Sequence, residues 1–291
     1  MNPLTPPAAT AELPIDSLYR GLALDPSAIA AMDDAEQVSY RELTNRTEAL
    51  ALALRQRLPK GSRIALCAQN HIGHLTAFLA ILAGGFIWVP INPKNGQRLN
   101  DKLLEKTQPA LVIVDQASHS ALQLGSAQCL TLDRTTDSDD KAAAGLDKIS
   151  DDADKVEDTA SAWIAQYRHQ PFQLNRPDPE TIMAIKFTGG SSGEPKGVMQ
   201  SHRSVNAVID NMQAEFDFRA SDCNLAVAPL THGGSHYILP LLRVGGRHLL
   251  LRQPDTTQIL HAFSQRGASV CFMPPTLIYK LLQDKLSPQN F

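Results

Sequence analysis

Phe187-Thr188-Gly189-Gly190-Ser191-Ser192-Gly193-Glu194-Pro195-Lys196-Gly197-Val198 carries the densest chemical information in this chain. It follows an apolar run, Thr181–Phe187, whose composition predicts a β-strand. Four glycines, three hydroxyls and one lysine then share a short loop. Glycines let backbone amides approach an anion closely, hydroxyls donate further hydrogen bonds, and a lysine supplies a compact positive charge. The P-loop spacing G-x-x-x-x-G-K-S/T is not met, because Lys196 follows Pro195 and precedes Gly197. Composition therefore leaves two readings open: a phosphate-binding loop of another kind, or a flexible surface turn.

Working outward, the second half predicts an alternation of elements. Ser201–Phe216 is expected as a helix, with Asn224–Ala228 and Gly246–Leu251 as strands. Asp255 and Gln258 have the spacing of a capping box, opening a helix to about Gln265. Ser269–Phe272 is expected as a strand and Pro275–Gln283 as a final helix. The first half has the same rhythm. Ser39 and Glu42 again have capping-box spacing, and Leu43, Leu50, Leu54 and Leu58 place one apolar stripe on the helix that follows, ended by Pro59 and Gly61. Arg63–Ala68, Phe86–Ile91 and Ala110–Val114 are expected as strands, with helices over His71–Ala83 and Leu99–Thr107. Such alternation implies an α/β protein with a largely parallel sheet covered on both faces.

Two segments stand apart. Residues 1–20 read as a loose, proline-rich lead-in, without the basic start and apolar run of a signal peptide. From Asp133 to Asp158 there are ten acidic and four basic residues and few large apolar ones, the composition of a solvated linker, which is expected to be nicked first by a protease. A boundary near Gln173 would divide the chain into a first α/β subdomain, residues 1–172, and a second, residues 173–291.

The remaining composition excludes several classes. With 291 residues and a net charge of −3, the chain lacks the basic surplus of a nucleic-acid binder. Its most apolar stretch, Leu75–Ile91, is interrupted by Gly84, Gly85 and Pro90, so it predicts a buried helix, turn and strand rather than a membrane span. Cys67, Cys129, Cys223 and Cys271 are far apart, which suggests neither a disulfide framework nor a zinc site and fits a cytoplasmic setting. His232 and His236 are separated by Gly233 and Gly234 and do not read as a helical zinc pair; His71 and His74 read as surface or capping residues.

Thr188–Val198 resembles the signature loop of the adenylate-forming superfamily, which comprises acyl-CoA synthetases, luciferases and peptide-synthetase adenylation domains. Every position fits that pattern, and Gly189 stands where Ser is more usual. Further segments resemble the family in the same order: Ser39-Tyr40-Arg41-Glu42-Leu43, Gly61–Leu66, Ala83–Gly85 with Val89–Pro93, Ala228-Pro229-Leu230-Thr231-His232, and Met273–Thr276. The likeness covers about residues 20 to 285.

The resemblance implies two similar layered α/β subdomains of a large N-terminal domain, with a C-terminal part beyond residue 291. It implies ATP-dependent conversion of a carboxylic acid to an acyl-adenylate, then thioester formation with CoA. Thr188, Gly189, Gly190, Ser191, Ser192, Gly193 and Lys196 would bind the ATP phosphates, with Mg²⁺ screening the same charge. Lys196 would also serve catalysis, and His232 would border the acyl pocket as a second catalytic candidate. The alternatives are an enzyme that loads the phosphopantetheine of a carrier protein, and a short, non-catalytic nucleotide-binding or interaction module. On the truncated reading, residues 1–291 alone are expected to give no carboxylate-dependent ATP–pyrophosphate exchange.

Overall fold

A computed structural model describes residues 12–124, 129–132, 159–188 and 194–284. In chain order the elements are α1 (Asp16–Leu24), β1 (Ile29–Met32), β2 (Gln37–Ser39), α2 (Tyr40–Arg57), β3 (Arg63–Cys67), α3 (Ile72–Gly84), β4 (Ile87–Pro90), α4 (Gln97–Thr107), β5 (Leu111–Asp115) and β6 (Cys129–Leu132). They continue with α5 (Ala160–Tyr167), β7 (Ile182–Thr188), β8 (Lys196–Ser201), α6 (His202–Phe216), β9 (Cys223–Ala226), α7 (Ile238–Arg243), β10 (Arg247–Leu250), α8 (Thr256–Gln265), β11 (Val270–Cys271) and α9 (Pro275–Gln283). The acidic stretch 133–158 lies outside the described residues.

The strands form two sheets, ordered β6-β5-β3-β4-β7-β8 and β11-β9-β10-β1-β2. Each is parallel except for one antiparallel edge strand, β8 in the first and β2 in the second. Period-two alternation decides which face each residue serves. In β3, Ile64 and Leu66 join the core between the sheets, whereas Ala65 and Cys67 face the opposite side with Leu103 of α4. In β9 and β10, Leu225 and Leu249 turn outward to Ile259 and Ala262 of α8. The layers therefore run α4, first sheet, a central layer with α2 and α3, second sheet, α8. The apolar run Leu75–Ile91 forms buried α3, a turn at Gly85 with φ of 77°, and buried β4.

The proposed boundary at residue 173 does not separate these sheets. β7 and β8 join the first sheet through Trp88 opposite Ala184, and β1 and β2 join the second through Ala31 opposite His248. An α/β rhythm tells how strands alternate with helices, but not which edge a strand joins; packing decides that. The lead-in also needs correction. Leu13, Ile15 and Leu18 are buried in the central core, so residues 13–20 are structural, with α1 packed on α7.

Helix α2 starts where its cap predicts, with Ser39 Oγ accepting from the Glu42 amide at 3.2 Å. Glu42 does not complete the box, because its carboxylate is taken by Arg46 and Arg168. At α8 both halves of the box form, between Asp255 and Gln258. His71 and His74 are buried, not surface residues. His71 Nε2 meets Asp115 at 3.3 Å, and His74 Nδ1 meets the Ala68 and Gln69 carbonyls. Burial opposes ionisation of Asp115, but bonds from His71 and the Ser118 and Gln69 amides outweigh it and draw its pKa down to about 2.

Candidate functional site

The loop singled out in the sequence joins β7 to β8. These strands pair antiparallel, with Thr188 directly opposite Lys196. The hydroxyl before the loop and the lysine after it are thus cross-strand neighbours. Strand β8 is absent from the sequence reading, because Val198 and Met199 are its only large apolar residues and both are exposed. Gly189 to Gly193 lie outside the described residues. Among the expected site residues, Thr188, Lys196 and His232 are placed.

Alternation divides the hairpin into two faces. Ile185, Phe187, Gly197 and Met199 line a cleft against Lys106 and Thr107 of α4. Lys186 and Thr188 of β7, with Lys196 and Gln200 of β8, share the other face. Helix α4 steadies the loop's second arm: Lys102 and Lys106 both pair with Glu194 at 3.1 Å, and Lys106 donates to the Pro195 carbonyl at 3.2 Å. Lys196, by contrast, has no ion-pair partner among the described residues. Its charge remains available to a ligand.

His232 reaches this strand from the segment after β9. Its Nε2 lies 2.8 Å from the Phe187 carbonyl, which can only accept, so Nε2 carries the proton. Its Nδ1 lies 3.0 Å from Thr231 Oγ1. Both ring nitrogens are engaged by the protein itself, and His232 pins its segment to the strand that feeds the loop. The segment is fixed from below by buried Asn70, whose amide donates to the Ala226 and Ala228 carbonyls and whose oxygen accepts from the Leu230 amide. Next to it, Gly233 lets the Phe272 ring approach so closely that any Cβ would overlap it.

One residue of the site escapes a motif reading. Lys186, in the middle of β7, donates to Ser235 Oγ at 3.0 Å and lies 5.1 Å from the centre of the Trp88 ring. Burial lowers its pKa to about 8. Burial, followed by the charge of Lys186 and by His232, lowers that of His236 to about 4. The signal in the sequence is a lysine inside an otherwise apolar strand, Ile182–Phe187.

A second concavity, about 90 Å³, opens where the carboxyl ends of β3 and β9 approach each other, with Asn70, Lys94, Ser118 and Arg252 on its walls. The ends of parallel strands are where open α/β sheets receive ligands.

A doubly layered α/β protein with a glycine–serine loop on a sheet-edge hairpin is the class that fold and site define. The chain belongs to the AMP-binding enzyme family, whose model matches residues 19–291. It is 25% identical over 262 residues to a feruloyl-CoA synthase from Amycolatopsis, covering 89% of this chain and 48% of that protein. It is 26% identical over 277 residues to nonribosomal peptide synthetase kk1B of Curvularia clavata, covering 92% of this chain and 2% of the synthetase. A crystal structure from Rhodopseudomonas palustris, assigned as a long-chain-fatty-acid CoA ligase, superposes with a TM-score of 0.78 at 19% identity, over 96% of this chain and 67% of the other. The chain spans less than half the length of these curated relatives.

Proposed function

We propose that the β7–β8 loop binds the triphosphate of ATP, and that the protein activates a carboxylic acid as its acyl-adenylate. A carboxylate oxygen attacks the α-phosphorus, the bond from that phosphorus to the bridging oxygen breaks, and pyrophosphate leaves with the electron pair. The demands on the protein are positioning and stabilisation of charge on the departing group. The observation that carries the reading is the pairing of Thr188 with Lys196, which has no ion-pair partner among the described residues, across a loop of glycine and serine. Loop amides, Ser191 and Ser192 would complete the phosphate contacts.

Mg²⁺ bound to the nucleotide would screen the same charge. Glu194, the carboxylate nearest in sequence to Lys196, is occupied by Lys102 and Lys106, so the metal would depend on phosphate oxygens and on other residues. The acyl group would pass to the thiol of CoA, and Lys94 and Arg252 beside the carboxyl-end crevice suit CoA's phosphates. Carrier-protein phosphopantetheine is the second acceptor, favoured by the peptide-synthetase relative. Calorimetry with ATP, and acid-dependent ATP–pyrophosphate exchange in the whole protein, test the reading. Binding without exchange would leave a nucleotide-binding module, and absence of both would reject it.

A further inference from the structure

A cavity of about 30 Å³ lies behind the hairpin, between β4 and β7 on one side and α6 and α7 on the other. Its walls are apolar, formed by Phe78, Met183, Val205, Ile209 and Leu239. Lys186, Ser235, His236 and half-buried Gln200 add polar groups to the lining. At about 10–15 Å³ for each small polar occupant, it has room for one end group and none for a chain.

The polar groups here are unbalanced. The Lys186 ammonium meets one hydroxyl, Ser235 Oγ, and the face of Trp88, but no carboxylate among the described residues. Ser235 Oγ donates onward to the His232 carbonyl at 2.7 Å, so it presents a lone pair to the lysine and no proton to a ligand. The indole N–H of Trp88, which lines the same cavity, is buried with no acceptor among the described residues. A half-buried ammonium with a single neutral acceptor and a buried N–H with none among the described residues both carry a desolvation cost that an anionic oxygen would reduce.

The position relative to the phosphate loop is fixed by the strand. Lys186 and Thr188 are two residues apart on β7 and stand on the same face, about 7 Å apart at roughly 3.3 Å per residue. A carboxylic acid held for reaction beside Thr188 would place its far end at Lys186.

We propose that the cavity recognises a second anionic or strongly accepting oxygen group on the substrate, so that the preferred acids carry a distal carboxylate, with Lys186 as the specificity-determining residue. This rests on the adenylation reading for the location of the reacting carboxylate, but the binding preference can be measured without ATP. The test titrates the 291-residue chain by calorimetry with the diacids from succinate to suberate, each against the monoacid of equal carbon number. Trp88 emission, in a Trp163→Phe background, reports whether the ligand reaches the cavity.

At least one diacid is expected to bind tenfold or more tightly than its monoacid and to change Trp88 emission. Lys186→Met should abolish that preference without lowering the melting temperature, because methionine suits the apolar walls; Lys186→Arg should keep most of it. Equal affinities in every pair, or a preference unchanged in Lys186→Met, would overturn the proposal. If diacid preference is found but the whole protein shows no acid-dependent exchange, the adenylation reading fails and the pocket stands. If exchange is intact and no preference exists, only the pocket proposal fails.

Discussion

The antiparallel pairs β1–β2 and β7–β8 occupy the edges of their sheets, yet they are closed in opposite ways. The first turn supplies its own acceptors. Asp33 Oδ1 takes the Ala35 and Glu36 amides at 2.7 and 3.0 Å, and Oδ2 takes the Ile72 amide at the start of α3. The second is steadied from outside, by Lys102 and Lys106 of α4 acting on Glu194 and Pro195. Thr188 Oγ and Lys196 Nζ make no hydrogen bond within the described residues. A turn satisfied from within holds the fold together and has nothing left for a ligand. A loop braced from its flank leaves the Thr188 and Lys196 side chains without a partner among the described residues.

The contrast can be broken most directly at Lys196. Lys196→Ala should lower acid-dependent ATP–pyrophosphate exchange in the whole protein by roughly ten- to thousandfold, the loss seen when a charge partner of a transition state is removed. Its urea midpoint should stay at the wild-type value, since the side chain has no partner among the described residues. Unchanged exchange would remove the loop from the chemistry. Asp33→Ala should do the reverse: a loss of about 1–3 kcal/mol in urea denaturation, because up to three amides lose a charged acceptor, with ATP affinity unaffected. A fall in ATP affinity as large as the loss of stability would dissolve the distinction.

Buried histidines sharpen it further. His74, in the first turn of α3, and His236, behind β7, both have folded pKa values of about 4 against an ordinary 6.5, burial being the largest cause in each. The fold favours their neutral form, so their contribution is complete above pH 6.5 and is lost as pH falls toward 4. The slope is at most about 1.4 kcal/mol per pH unit for each ring. NMR titration of the ring carbons should find both neutral at pH 5. In Lys186→Met, His236 should titrate higher while His74 stays in place, because only His236 feels that ammonium. The smallest effect is expected at Glu194. Its pairs with Lys102 and Lys106 are exposed and screened, so Glu194→Gln should leave the urea midpoint unchanged. A measurable drop would show that the brace carries stability as well as position.

Much of the fold was legible because its determinants are local. The Ser39 and Asp255 caps, the leucine stripe of α2, the glycine turn at Gly85 and the strand before Thr188 all act within a few residues of chain. The place of the loop was legible for the same reason: its motif sits in twelve consecutive positions, and β7 and β8 flank it. What stayed hidden lacks a local signature. α1 carries its apolar contacts on Leu18 and its flanking Leu13 and Ile15, amid prolines that suggest a loose segment. β8 is exposed along most of its length and becomes a strand only by hydrogen bonding to β7.

From the sequence came most of the helices and strands, the place of the glycine–serine loop, and the family the chain resembles, because caps, periodicity and a contiguous motif are short-range properties. Tertiary structure alone decided that each sheet draws strands from both halves, that His232 spends both ring nitrogens on the protein, and that Lys186 faces an acceptor-poor cavity on the same strand face as Thr188. Those facts depend on which surfaces meet across dozens of residues, and burial, charge and hydrogen bonding take their values only once that meeting has occurred.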